Sequence, residues 1–259
     1  MSKTVVFVHG ANVNSLCWER FIPRFEAAGW TCHAPDWPEL SGEPAALRER
    51  VPEGLAGLGI EKIVGSYAAF IESLPEPPAL VGHSFGGLFA QLLLGRGLGT
   101  AAVALDPAPP AGVFPTVEAL KAAWPVVKTF GHWKKTFLMT EEDFGAKFAN
   151  GVPEGDRAAA WARYIVPTPG RLWAQSTWKP GLLSVDWKKA DRAPLLICAG
   201  GQDHTVSASM NRANFEKYQG DAVTEFERFD DASHFLLAEP GWEAVADRAL
   251  AFLEAHHPG

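Results

Sequence analysis

The sequence predicts an α/β fold: a mostly parallel sheet of about six strands, helices on both faces, and a helical insertion over one edge. Three observations carry that prediction. Short apolar runs rich in β-formers recur along the 259 residues, and stretches with apolar side chains every three or four positions separate them. At one junction a serine flanked by glycines stands between such a run and such a stretch.

The elements follow in order. Val5-Val6-Phe7-Val8 is a continuous run of β-formers, the pattern of a strand buried on both faces of a parallel sheet. A helix runs from Trp18-Glu19-Arg20-Phe21 to Ala27-Ala28 and is stopped by Gly29. Thr31-Cys32-His33-Ala34 reads as a second strand. Residues 37–59, interrupted by Pro and Gly, read as a long surface connection with at most a short helix. Ile60, Ile63, Val64, Tyr67, Phe70, Ile71 and Leu74 share one stripe of an amphipathic helix. Ala79-Leu80-Val81 is a strand, Leu88-Phe89-Ala90-Gln91-Leu92-Leu93-Leu94 belongs to a buried helix, and Ala102-Val103-Ala104-Leu105 is a strand again.

The rhythm then breaks. From Pro107 to about Ala190 no strand-like run appears, yet six of the ten tryptophans fall there: Trp124, Trp133, Trp161, Trp173, Trp178 and Trp187. Phe130, Phe137, Phe144 and Phe148 join them. This stretch reads as a helical cap over the sheet's C-terminal edge, most of its rings forming a satellite core and a few lining a cavity beneath it. The expected division is a core of residues 1–106 and 191–259 with a cap of 107–190. After it come the strand Leu195-Leu196-Ile197-Cys198, a helix over about 206–219, the alternating strand Val223–Phe229 with one wetter face, and a last helix over about 241–256.

Composition narrows the function classes. The chain is 47% hydrophobic with a net charge of −7, which suits a globular protein with a large core and argues against nucleic-acid or anionic-membrane binding. Lys134-Lys135 reads as a solvated face, and no run of 18 apolar residues predicts a membrane insertion. Cys17, Cys32 and Cys198 have no metal-ligand spacing, so neither a metal nor a cofactor is expected. An odd cysteine count without CxxC, and a start that runs into a strand without secretory-signal zones, give cytoplasm as the expected location.

Residues 82–87 read Gly-His-Ser-Phe-Gly-Gly, placing Ser84 at a sharp strand-to-helix turn that lifts its hydroxyl clear of the sheet. A serine needs a base to take its proton. His234, after the last strand and before the final helix, is the histidine placed for that; His33, His132, His256 and His257 do not stand at a strand's C-terminal end. A carboxylate should orient the ring. Asp203, in Gly200-Gly201-Gln202-Asp203, is favoured, with a helix cap as its ordinary alternative. Asp106, just after its strand and before Pro107-Ala108-Pro109-Pro110, is a positional rival that reads equally well as a structural turn. For a developing oxyanion, the backbone N–H of Phe85 comes with the turn and that of Ala11 with the loop His9-Gly10-Ala11-Asn12. Asn12, His83 and Trp133 are read as substrate contacts.

Together, His9-Gly10, the Gly82–Gly87 turn, Gly201-Gln202-Asp203 and Ser233-His234-Phe235 resemble the α/β-hydrolase superfamily nearly end to end, in its chain order Ser, Asp, His. The resemblance implies a compact serine esterase with a helical cap: Ser84 as nucleophile, His234 as base and then acid, Asp203 as orienter, Ala11 and Phe85 as oxyanion donors. Because the first loop motif already sits at residues 9–10, there is no room for the antiparallel hairpin many members carry first. Compact esterases and plant hydroxynitrile lyases share that early start, but the lyases use a lysine and a threonine where this chain has Phe235 and Ala11. A serine nucleophile also disfavours haloalkane dehalogenase and epoxide hydrolase chemistry. The expected partner is therefore a small or medium, largely apolar ester-like molecule. Lactone, thioester, amide or carbon–carbon bond cleavage by the same residues stays open, as does a ligand-binding protein on the same scaffold.

Overall fold

A computed structural model describes residues 3–257; Met1, Ser2, Pro258 and Gly259, the outer ends of the expected core, lie outside the described residues. Six strands form one parallel sheet: β1 Thr4–Val8, β2 Thr31–His33, β3 Ala79–His83, β4 Ala102–Leu105, and, after the long 107–190 segment, β7 Leu195–Gly200 and β8 Thr224–Phe229. Their order across the sheet is β2-β1-β3-β4-β7-β8, every pairing parallel. The 107–190 segment supplies two further strands, β5 Thr136–Phe137 and β6 Thr168–Pro169, joined as an antiparallel pair apart from the main sheet. Two residues each are too few to show a strand pattern in sequence.

Burial on both faces explains the unbroken apolar runs. Along β1, Val5 and Phe7 point to one side, packing with Trp18, Phe21, Phe25 and Phe252. Val6 and Val8 point to the other, with Ile63, Tyr67, Leu88 and Phe89. Helices Phe21–Ala27 and Trp242–His256 thus cover one face, and Ile60–Glu72 and Phe85–Gly95 the other. The long connection before Ile60 holds the short helix Pro44–Glu49 and a 3-10 turn at Leu55–Gly57. The alternating strand is β8, at the sheet's edge and largely half-buried. Among the described residues no helix is long and apolar enough to cross a membrane.

The topology places the site. From β1 the chain moves first to β2 on one side and then to β3 on the other, so the connections after β1 and β3 leave the sheet toward opposite faces. In an open α/β sheet the crevice outside the carboxyl ends at such a reversal is where ligands bind. Ser84 and the His9–Asn12 loop flank it.

Candidate active site

Ser84 follows β3 directly and precedes the helix Phe85–Gly95 with φ 56° and ψ −122°. A non-glycine residue in such a conformation costs on the order of 1–3 kcal/mol and persists only where its surroundings enforce it. Here they do. The Ser84 N–H donates to the Leu105 carbonyl at 2.9 Å, and its own carbonyl accepts from Leu88 and Ala108 at 3.1 and 2.9 Å. The flanking glycines permit the close approach: a Cβ at Gly86 would lie 1.9 Å from the Val8 carbonyl oxygen, and one at Gly82 would lie 2.2 Å from the Gly86 oxygen. Gly10 brings the first loop against the serine, since a Cβ there would fall 2.8 Å from Ser84 Cβ.

His234 sits on the turn after β8 and is fully buried. Its Nε2 lies 2.9 Å from Ser84 Oγ and its Nδ1 2.6 Å from Asp203 Oδ2. With the ring proton on Nδ1, the imidazole donates to the carboxylate and leaves Nε2 to accept from the serine hydroxyl. Asp203 lies just beyond β7, and its other oxygen accepts the backbone N–H groups of Thr205 and Val206 at 2.6 and 2.8 Å. It therefore caps a turn and faces the ring at once. The helix that follows, Ala208–Glu216, has Ser207 and not Asp203 at its N-cap.

Asp106 is present as well, fully buried at the end of β4 with φ 42°. Its Oδ1 accepts from the Gly200 N–H at 2.7 Å, while its Oδ2 is buried and has no donor. Among the described residues, Asp106, Asp203 and His234 form one cluster of ligand-type atoms within 4.8 Å of one another. Both ring nitrogens and both Asp203 oxygens already have partners, so this donor set is committed elsewhere and unsuited to holding a metal ion. Burial, reinforced by the neighbouring Asp203 charge, pushes the Asp106 carboxyl well above the usual carboxylate range.

Three residues read as substrate contacts sit elsewhere. His83 is fully buried, its Nε2 donating to the His234 carbonyl at 2.7 Å and its ring 4.8 Å from the His234 ring. Burial holds it well below the ordinary histidine range, so it lies behind His234 as a neutral ring. Trp133 packs on Trp178 and Phe130 in the 107–190 segment. Asn12, with φ 67°, ties the first loop to that segment: its N–H donates to Thr168 Oγ1 at 2.7 Å, its carbonyl accepts from the Val166 N–H, and its Oδ1 accepts from the Thr168 hydroxyl. Its hydrogen-bond partners are thus other parts of the chain.

The cavity that opens at Ser84 measures about 670 Å³ and is walled by Phe85, Trp124, Trp173, Val206 and Met210, together with residues 108–115. Among the described residues no charged side chain lines it. Trp124 and Phe114 at its rim are 60% and 86% exposed, so the wall is apolar out to the mouth. Phe235, after His234, instead packs into the core against Phe144, Phe148 and Tyr164. Sequence reasoning missed Glu239, whose carboxylate accepts from the Ser233 backbone N–H at 2.5 Å and from the Ser233 hydroxyl, fixing the turn that carries His234. A lone acidic residue before Pro240 gave no signal of that.

Comparison with known proteins agrees with the fold. Residues 5–248 match the model of the alpha/beta hydrolase family. Tomato methylketone synthase I superposes with a TM-score of 0.72 at 18% identity, covering 99% of this chain and 98% of that one. A methylesterase from Arabidopsis gives 0.70 at 18% identity, with 97% and 100% covered. A monoacylglycerol lipase from Paleococcus ferrophilus gives 0.70 at 23% identity, with 98% and 94% covered. No curated protein matches the chain.

Proposed function

The chain belongs to the alpha/beta hydrolase family, and from that premise we propose that it is a serine hydrolase cleaving a small or medium, largely apolar carboxylic ester through an acyl-enzyme. The observation that carries the reading is the unbroken path from Ser84 Oγ, on the floor of the apolar cavity, through the His234 ring to Asp203, with steps of 2.9 and 2.6 Å.

In this reading Ser84 Oγ attacks the ester carbonyl carbon as His234 Nε2 takes its proton. The oxyanion is held by the backbone N–H groups of Ala11 and Phe85, each worth roughly 3 kcal/mol in such sites. The bond to the alcohol oxygen then breaks, and His234 returns the proton to that oxygen. Water, deprotonated by the same ring, cleaves the acyl-serine. Asp203 keeps the Nδ1 proton in place throughout and stabilises the imidazolium. The 107–190 segment acts as a cap, and the cavity wall, uncharged among the described residues, favours a neutral substrate over one bearing a carboxylate, phosphate or ammonium. Ester-cleaving names among the structural neighbours, a methylesterase and a monoacylglycerol lipase, are consistent with this choice.

The test is turnover of p-nitrophenyl esters from acetate to octanoate, alongside fluorophosphonate labelling, in the wild type and Ser84→Ala. Hydrolysis and labelling should both vanish in the variant. A wild-type protein that neither turns over any ester nor labels would overturn the proposal, and would leave a ligand-binding role.

A further inference from the structure

Two buried carboxyl groups face one imidazole, and the proposed reaction uses only one of them. Asp203 has a full set of partners: Thr205 and Val206 on one oxygen and His234 on the other. Asp106 is half-finished. Its Oδ1 is saturated by the Gly200 N–H at 2.7 Å and the Asn211 amide at 3.4 Å, whereas Oδ2, wholly out of solvent, receives no donor. A bare carboxylate oxygen in that position is costly, but a hydroxyl there has a ready acceptor, because ligand-type atoms of Asp106 and Asp203 lie within 4.8 Å of one another.

We propose that Asp106 is a positioning residue of this site: through a proton on Oδ2 it donates a hydrogen bond to Asp203 and holds that carboxylate against the His234 ring. The electrostatics agree. The charged groups acting on Asp106 are Asp203 and Glu239, both acidic, and two like charges this close cannot both ionise in a dry interior. The proton therefore stays on Asp106, the carboxyl without the imidazole. Each residue after β4 and β7 then has its own task, and the apparent rivalry between Asp106 and Asp203 becomes a relay of orientation. The inference rests on the hydrolase reading for its kinetic consequence, but not for the hydrogen bond itself.

Asp106→Asn and Asp106→Ala test it. Asparagine keeps an acceptor for Gly200, offers an N–H to Asp203 and tolerates the positive φ; alanine offers neither bond. We expect kcat of Asp106→Asn within about threefold of wild type, and that of Asp106→Ala lower by about ten- to hundredfold with KM unchanged. The low-field proton resonance of the His234–Asp203 bond should persist in the first and shift in the second. Infrared spectra at neutral pH should show one protonated-carboxyl stretch that Asp106→Asn removes; this holds even if Asp106→Ala fails to fold or no ester is turned over. An Asp106→Asn enzyme as impaired as Asp203→Asn, or the absence of that stretch, would overturn the proposal. So would Asp106→Ala kinetics and resonance identical to wild type.

Discussion

Replacing Asp203 by asparagine isolates what the carboxylate does, because the structure fixes which way the new amide must point. The Oδ1 position accepts two backbone N–H groups, from Thr205 and Val206, and the Oδ2 position faces a single ring N–H. Turning the amide oxygen toward the ring would set an NH2 group against two buried donors, each stranded at about 1–3 kcal/mol. Turning the NH2 toward the ring costs only one such mismatch, and the imidazole relieves it by moving its proton from Nδ1 to Nε2. The ring then presents a donor to Ser84 Oγ across the 2.9 Å contact and cannot accept the serine proton. An inverted tautomer of this kind lowers kcat by about 10⁴-fold, roughly 5.5 kcal/mol of transition-state stabilisation. The backbone caps survive, at the cost of exchanging charged for neutral hydrogen bonds, about 1 kcal/mol or a few degrees in Tm. Steady-state p-nitrophenyl ester hydrolysis and thermal unfolding measure both quantities. A folded Asp203→Asn protein retaining kcat within tenfold of wild type would refute this reasoning and return the orienting role to another carboxyl.

Further outcomes follow from the same contacts. Gly86→Ala should lose about 3 kcal/mol or more in urea unfolding, since its Cβ would lie 1.9 Å from the immovable Val8 carbonyl oxygen; Gly95→Ala, with nothing within 4 Å, should lose nothing. Burial holds the His9 ring down at about 4, while its Nε2 accepts the Trp37 N–H at 3.0 Å. Its folded value lies below the unfolded value near 6.5, so the unfolded state binds the extra proton. His9 accordingly favours the fold fully above about pH 6.5 and withdraws roughly 3 kcal/mol as pH falls toward 4. NMR should show this ring still neutral at pH 5, and a titration midpoint near 6.5 would contradict the assignment. Thr168→Val should strand the Asn12 N–H and Oδ1, costing about 1–3 kcal/mol of stability and lowering kcat more than it raises KM; unchanged kinetics and Tm would show that the tie carries nothing.

How far the sequence reaches depends on whether a residue's role is written locally. The runs Val5–Val8, Ala79–Val81, Ala102–Leu105 and Leu195–Cys198 are strands because burial on both sides demands an unbroken apolar face, and that demand is visible residue by residue. Ser84, His234 and Asp203 were legible for a related reason: each stands where a strand gives way to a turn, and their chain order names the architecture. Trp133 shows the opposite limit. Six tryptophans announce that the 107–190 segment packs something, but whether a ring meets the cavity, as Trp124 and Trp173 do, or another ring, as Trp133 does, depends on helix angles that no periodicity encodes. The same holds for His83, whose neighbour in sequence faces the cavity while its own ring lies beneath His234. Glu239 became meaningful only when the fold laid it on Ser233.

The imidazole rides on the turn after β8, and β8 is a border strand with only β7 beside it. Glu225, Glu227 and Arg228 deter a foreign strand from annealing there, and Arg248 of the last helix clasps the first two. Borders fray before interiors do. If β8 peels away, His234 departs while Ser84, anchored in the middle of the sheet, keeps its geometry. Warming or mild denaturant would therefore silence the molecule before dissolving it, leaving a poised hydroxyl with nothing to take its proton.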